Sequence, residues 1–329
     1  MNGLTSLSTL DALLAPPKAR LARRFLMRGE ALTQDAFAQR GQPMSTEQWN
    51  ALCAFADDGM ATRVHARSVA GDGTVKFVLR LRDGETIETV AMPTGTVCVS
   101  TQVGCAVRCR FCASGRDGLI RNLSADEIVE QLVHARREMP MHRVVYMGMG
   151  EPTHNLDAVL DVVARIRRDA GIGFRKQTLS TVGSLRALER LQASDAKPCL
   201  AFSLHSADER TRRDLLPHAS RDPLADLVAA ADGYARTMGI PVQFEWTFLE
   251  GVNDRDEDVE QLAGLLRGVR GYVNFIVWNR VDDLPFAPTP RARVVELVRR
   301  VKAHGIFATI RDSAGADADA ACGQLRRRT

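Results

Sequence analysis

No apolar run in this 329-residue sequence approaches the roughly 20 residues that a membrane helix needs. The first 14 residues lack a basic stretch followed by an apolar one, so no secretory signal is read there. Internal repeats and low-complexity segments are missing as well. The net charge is only +4, which permits a polyanionic partner without requiring one. What remains has the composition of an ordinary soluble globular protein, with 45% hydrophobic and 26% charged residues. The cytoplasm is its expected location, and the length suffices for one large core with an appendage. Seven cysteines in such a chain argue against a disulfide framework and for metal or redox chemistry.

Three regions are expected. Residues 1–75 read as a helical, basic accessory region, because 10–14, 18–26 and 45–55 place apolar side chains at helical spacing. Residues 76–312 read as the core, and 313–329 as a tail carrying Cys322. The core opens with a change of period. Runs 76–81 and 86–92, on either side of Arg82-Asp83-Gly84-Glu85, predict a β-hairpin with an Asp-Gly turn. Beyond Thr96, β-rich runs at 97–102, 143–149, 177–181, 200–205, 242–249, 273–278 and 307–310 alternate with amphipathic helices. Those helices fall near 125–138, 156–168, 184–193, 223–237, 256–268 and 291–303. Ser124-Ala125-Asp126-Glu127 has the spacing of a capping box. Strands separated by helices imply an α/β fold with a parallel sheet. Seven such strands fit a barrel or partial barrel with its site at the C-terminal strand ends, and a doubly wound open sheet gives the same rhythm.

The most informative stretch is Gly104-Cys105-Ala106-Val107-Arg108-Cys109-Arg110-Phe111-Cys112, with the spacing C-x3-C-x2-C. Three thiolates on one short loop can wrap a small iron–sulfur cluster. Three ligands leave one iron of a four-iron cluster open to chelate a small molecule. The alternative, a zinc site, lacks a nearby fourth ligand and the usual paired spacing. Cys322 lies in a Gly/Ala-rich stretch, 313–322, that reads as a mobile loop. Cys98 lies in an apolar strand, where a cysteine ordinarily packs. Cys53 and Cys199 read as core residues. Lys18, Arg20, Arg23, Arg24 and Arg28, with the terminal Arg326-Arg327-Arg328, offer basic faces suited to phosphate, although a solvated helix face looks the same.

Several segments, in this order, resemble the RlmN/Cfr type of radical S-adenosylmethionine (SAM) RNA methyltransferase. They are Thr96-Val97-Cys98-Val99-Ser100 through Ser114, which includes the three-cysteine loop, Met147-Gly148-Met149-Gly150-Glu151-Pro152, Thr178-Leu179-Ser180-Thr181, Phe202-Ser203-Leu204-His205, Gly251-Val252-Asn253-Asp254, Trp278-Asn279, and Asp319-Ala320-Ala321-Cys322-Gly323-Gln324-Leu325. The pair Cys98 and Cys322 is the most specific part, since general radical SAM enzymes lack it.

The resemblance implies a partial (β/α)6 barrel, a [4Fe-4S] cluster on Cys105, Cys109 and Cys112, and SAM held by Gly150, Glu151, Ser180, Ser203, Leu204, His205 and Asn279. Glu151 would accept the ammonium group of SAM. The implied substrate is an unstacked adenosine in RNA, in 23S rRNA or also in tRNA, methylated at C2, or at C8 as in the Cfr-like variant. These ring carbons have no lone pair to attack a methyl sulfonium, hence the radical route. Cys322 would carry the methyl group as S-methylcysteine, Glu88 would accept the ring proton, and Cys98 would resolve the adduct through a transient disulfide with Cys322. An electron donor such as flavodoxin or ferredoxin, no membrane, and a monomer complete the expectation. A radical SAM enzyme on a non-RNA substrate, or a non-catalytic iron–sulfur module, is the competing reading. A mere binding module would need neither Cys98 nor Cys322.

Overall fold

In the computed structural model, which describes residues 7–326, the N-terminal region begins with helices α1 (Leu10–Leu13), α2 (Pro16–Arg28), α3 (Gln34–Ala38) and α4 (Thr46–Ala54). Proline opens α2, where its missing N–H costs nothing. Ser45 and Gln48 cap α4 reciprocally. Residues 1–6 and the final Arg327 and Arg328 lie outside the described residues.

The helical region ends earlier than its sequence suggests. Strand β1 (Thr62–Val69) pairs antiparallel with β2 (Val75–Leu81), which pairs with β3 (Thr86–Met92) across the expected Asp-Gly turn. Arg63, Val64, His65, Ala66 and Arg67 are all exposed, so β1 has no buried face to produce a period of two.

The expected strand at 97–102 divides. β4 (Thr96–Cys98) stays in the main sheet, while β5 (Gln102–Gly104) pairs with β6 (Leu119–Asn122). The bend is fixed by the Gln131 side chain, which accepts from Ser100 N at 2.7 Å and donates to Ser100 O at 2.8 Å. Helix α5 (Ala125–Glu138) starts at the predicted Ser124/Glu127 capping box.

There follow β7 (Arg143–Tyr146), α6 (Leu156–Arg165), β8 (Gln177–Thr181), α7 (Leu185–Ala193), β9 (Cys199–Ser203), α8 (Glu209–Leu215), α9 (Leu224–Met238), β10 (Val242–Phe248), α10 (Asp256–Leu265), β11 (Gly271–Val277), α11 (Arg291–Ala303) and β12 (Ala308–Arg311). Only the short α8 has no counterpart in the sequence reading.

The main sheet has ten strands in the order β1-β2-β3-β4-β7-β8-β9-β10-β11-β12. From β4 onward every neighbouring pair is parallel. β4 pairs on its other side with β3, and no β4–β12 pairing closes the ring. Residues at the C-terminal ends of β7, β8, β9, β10, β11 and β12 nevertheless face one shared cavity. The arrangement is therefore a partial (β/α)6 barrel rather than a flat doubly wound sheet. Trp246, Phe202, Phe244 and Phe275 are fully buried in its core.

Candidate active site

The three-cysteine loop connects β5 to β6, and its shape begins at Gly104. There φ is +77°, and a Cβ would stand 2.0 Å from Gly118 O, so only glycine fits. Cys105 N donates to Gly118 O at 2.9 Å and Cys112 N to Cys109 O at 3.1 Å. Trp278 Nε1 holds the loop from below through Phe111 O at 2.8 Å.

Cys105, Cys109 and Cys112 all line the barrel cavity. Burial pushes the Cys105 thiol up to about 12, and holds Cys109 well above its ordinary value and Cys112 above it. For Cys105 and Cys109, the neighbouring thiols and Glu151 add to the rise. Such a trio is costly as thiolates until a cation compensates them, which is the donor chemistry a cluster requires. Among the described residues, no three Cys, His, Asp or Glu side chains are gathered closely enough to hold a single metal ion.

Gly150 and Glu151 follow β7. Gly150 has φ +102°, and a Cβ there would meet the Gln102 side chain at 2.6 Å. Glu151 is fixed in place: Oε1 accepts from Thr153 N and Oγ1 at 3.1 and 2.6 Å, and Oε2 from Val182 N at 3.0 Å. Ser180 and Ser203 face each other from adjacent strands at 3.2 Å. Thr181, by contrast, turns its hydroxyl to Gly183 N, so Ser180 supplies the cavity-facing hydroxyl.

His205 adopts φ +56° and packs edge-on against Phe111, with ring centroids 4.8 Å apart. Its Nδ1 accepts from Thr247 N at 3.1 Å, which puts the proton on Nε2. Burial, aided by Arg212, holds its pKa down at about 3, so the ring is neutral. Asn253 clasps this corner by donating to His205 O at 2.7 Å and Thr247 O at 2.9 Å.

Cys98 ends β4 and is buried, its thiol pushed up to about 12 by burial and then by Cys322. Cys322 lines two cavities. One is the barrel cavity with the three-cysteine loop, and the other is a small apolar one that also contains Cys98. Both thiols are free, with no disulfide between them.

Three expected site residues stand elsewhere. Leu204 is fully buried behind the cavity wall, its N–H bonded to Glu245 O. Asn279 turns from the cavity to the tail, donating to Ser313 Oγ at 2.8 Å and Cys322 O at 3.1 Å. Glu88 is wholly buried outside the cavity and engages Lys76 and the amide of Arg326. Alternation along β3 does not reveal this, because every position from Thr86 to Ala91 is buried.

The tail also differs from the mobile loop its composition suggests. Gly315 N bonds to Asp72, Ala113 N to Gly323 O, Ser114 Oγ to Leu325 O, and Gln324 Nε2 to Arg280 O. Of the basic face on α2, Arg23 pairs with Asp11 and Arg28 donates to Asp169 O, while Arg20 and Arg24 stay exposed.

Sequence reading missed Glu245 and Arg311, both on the cavity wall. Arg311 also lines the Cys98 cavity, and its pKa is raised chiefly by Cys322. Arg311 ends β12, which was an available signal, whereas Glu245 sits in the middle of β10. Buried Arg212 on the unforeseen α8 ties β8 to β9 through Val182 O and Ser203 O.

The radical SAM superfamily profile matches residues 99–264. A "Probable RNA methyltransferase" of Thiobacillus denitrificans is 47% identical over 81% of this chain and 74% of its own length. One from Pseudomonas paraeruginosa is 43% identical over 94% of this chain and 90% of its own. The crystal structure of a radical SAM methyltransferase from Sphaerobacter thermophilus superposes with a TM-score of 0.87, at 36% identity and 98% coverage of both chains. These matches agree with the RlmN/Cfr-type motifs and imply a [4Fe-4S] cluster and SAM as cofactors. The chain belongs to the radical SAM superfamily and, within it, to the methyltransferases.

Proposed function

We propose that the protein methylates an adenine ring carbon in RNA, with Cys322 as methyl carrier and Cys98 as resolving thiol. The observation that carries this reading is the position of Cys322, which lies at once on the three-cysteine cavity and on the small cavity of Cys98. When bound, the [4Fe-4S] cluster and SAM supply the electron, the methyl group and the deoxyadenosyl group that such chemistry consumes. Cys105, Cys109 and Cys112 hold the cluster, and Gly150, Glu151, Ser180, Ser203 and His205 surround SAM.

Cys322 gives up its thiol proton and receives the methyl group on sulfur. Once that carbon is joined to the adenine, Cys98 attacks the Cys322 sulfur. The S–S bond forms as the S–C bond breaks, and the electron pair leaves with the product carbon. Glu88 is the ring-proton acceptor that the family resemblance points to. Its carboxylate reaches a substrate only when the tail shifts off it.

RNA as substrate rests on the names of the relatives and on the exposed Arg108 and Arg110 within the three-cysteine loop. The target we assign is C2 of an adenosine in 23S rRNA, with tRNA as a further substrate and C8 as the alternative carbon. The reductant we assign is a flavodoxin or ferredoxin. Mass spectrometry of digested cellular RNA, with and without the gene, tests the target. A methylated adenosine that disappears with the gene is expected, and an unchanged nucleoside profile overturns the assignment. The carrier role is read separately, as a +14 Da shift on the Cys322 peptide, about one CH₂.

A further inference from the structure

The tail carrying Cys322 rests on a fully buried ion pair. Lys76, on β2, is 4% exposed and Glu88, on β3, is 0% exposed, with Nζ and Oε1 3.5 Å apart. Each also grips the tail. Lys76 Nζ donates to Asp319 O at 3.0 Å, three residues before Cys322. Glu88 Oε2 accepts from Arg326 N at 2.9 Å, four residues after it. The β1–β2 turn adds Gly71 N to Asp317 Oδ2 at 2.9 Å and Gly315 N to Asp72 Oδ2 at 2.9 Å.

Two charges withdrawn from water are costly unless each is compensated, and removal of one strands the other. A tail that needed only packing could rest on apolar side chains. Here both of its ends are tied to one buried pair, with Cys322 between the two attachment points. We infer that Lys76 and Glu88 form a latch that seats the Cys322 segment against the barrel and positions its sulfur between the two cavities. This deepens the methyl-carrier reading and rests on it for its purpose. Lys76 and Glu88 are positioning residues in this role, acting through the tail.

The test uses full-length protein without turnover, so it is independent of cluster loading. Two quantities are followed: the alkylation rate of Cys322 by iodoacetamide, and hydrogen exchange of amides 315–326. Lys76→Met removes the ammonium group that stands 3.5 Å from the buried Glu88 carboxylate. Cys322 alkylation should rise about ten-fold or more, with faster exchange confined to the tail. Lys76→Met combined with Glu88→Gln removes both charges but keeps an acceptor for Arg326 N, and should return both readouts to within about two-fold of the parent. A purely structural loss would not be rescued in this way.

Glu88→Gln alone serves where Lys76→Met yields no folded protein, and should speed tail exchange several-fold. Unchanged alkylation in folded Lys76→Met, no rescue in the double variant, or unchanged tail exchange in Glu88→Gln overturns the latch. The carrier reading fails by a different result, the absence of the +14 Da shift on Cys322.

Discussion

The loop carrying Cys105, Cys109 and Cys112 and the tail carrying Cys322 are both irregular chain at one end of the barrel, and they are held differently. The loop closes on itself through short-range bonds, Cys105 N to Gly118 O, Cys112 N to Cys109 O and Gly118 N to Gly115 O. Trp278 Nε1 and Leu215 O then brace it from outside. The tail is tied to residues more than 200 positions away, at Asp72, Lys76, Glu88 and Ser114. Short-range bonds thus shape much of the loop, whereas the tail's path depends on the rest of the fold. The loop presents its three cysteines to the cavity, and the tail is seated by the barrel.

The largest effect expected from this contrast is at the loop. Cys109→Ala should remove the iron–sulfur absorbance and bring SAM cleavage to background, because no other residue can replace a thiolate ligand there. Retained iron and cleavage would break the comparison outright. At the tail, Cys322→Ala should also bring RNA methylation to background, yet keep iron content and SAM cleavage at parental levels. Iron loss in that variant would mean that the tail belongs to the cluster site.

Legibility followed the same division. The capping box at Ser124 and Glu127 and the strand–helix rhythm are short-range signals, and the structure bears them out; the C-x3-C-x2-C spacing is equally local, and the structure brings all three cysteines to the barrel cavity. Strand β1 was illegible because both of its faces are wet, and α8 because it is a single short, charged segment. Arg311 lies at the C-terminal end of β12 and Glu245 in the middle of β10, and the face that turns inward emerges only when the barrel curves. The tail's fixation was illegible for a stronger reason. A Gly/Ala-rich stretch has few side chains, so its bonds run from its backbone to partners that only the fold brings near.

Asn279 tests the tail more gently. It was read as a SAM contact, and the structure instead gives its amide to Ser313 Oγ and Cys322 O. Loss of two hydrogen bonds at about 1 kcal/mol each should lower turnover of Asn279→Ala by up to about 30-fold. Faster Cys322 alkylation at an unchanged KM for SAM supports the tail contact. A raised KM with unchanged alkylation would return Asn279 to the cofactor.

Acidification should separate the two regions by a smaller margin. His205 packs beneath the loop against Phe111, with Thr247 N on Nδ1 and Arg212 nearby, and its folded pKa is depressed to about 3. The unfolded chain binds a proton at about 6.5, and the folded one does not until far lower. The unfolded state therefore holds more protons throughout this window, so stability falls as pH drops below about 6.5, by up to about 1.4 kcal/mol per pH unit for one group. Asp72, which holds the tail, has its pKa lowered by hydrogen bonds from Thr74 and then Gly315. Its contribution is present above the ordinary value of 3.8 and is lost only as pH falls through the lower folded one. Loop amides should thus lose exchange protection between pH 6.5 and 4, while tail amides keep theirs until lower pH. His205→Asn, which still tolerates the left-handed backbone at this position, should flatten the parental stability slope between pH 7 and 5 in denaturant titrations. His134 is likewise depressed, to about 4, so the informative quantity is the difference between parent and variant. Equal slopes in the two proteins, or a His205 ring resonance that titrates between pH 5 and 8, would show that the loop is not held by a neutral imidazole.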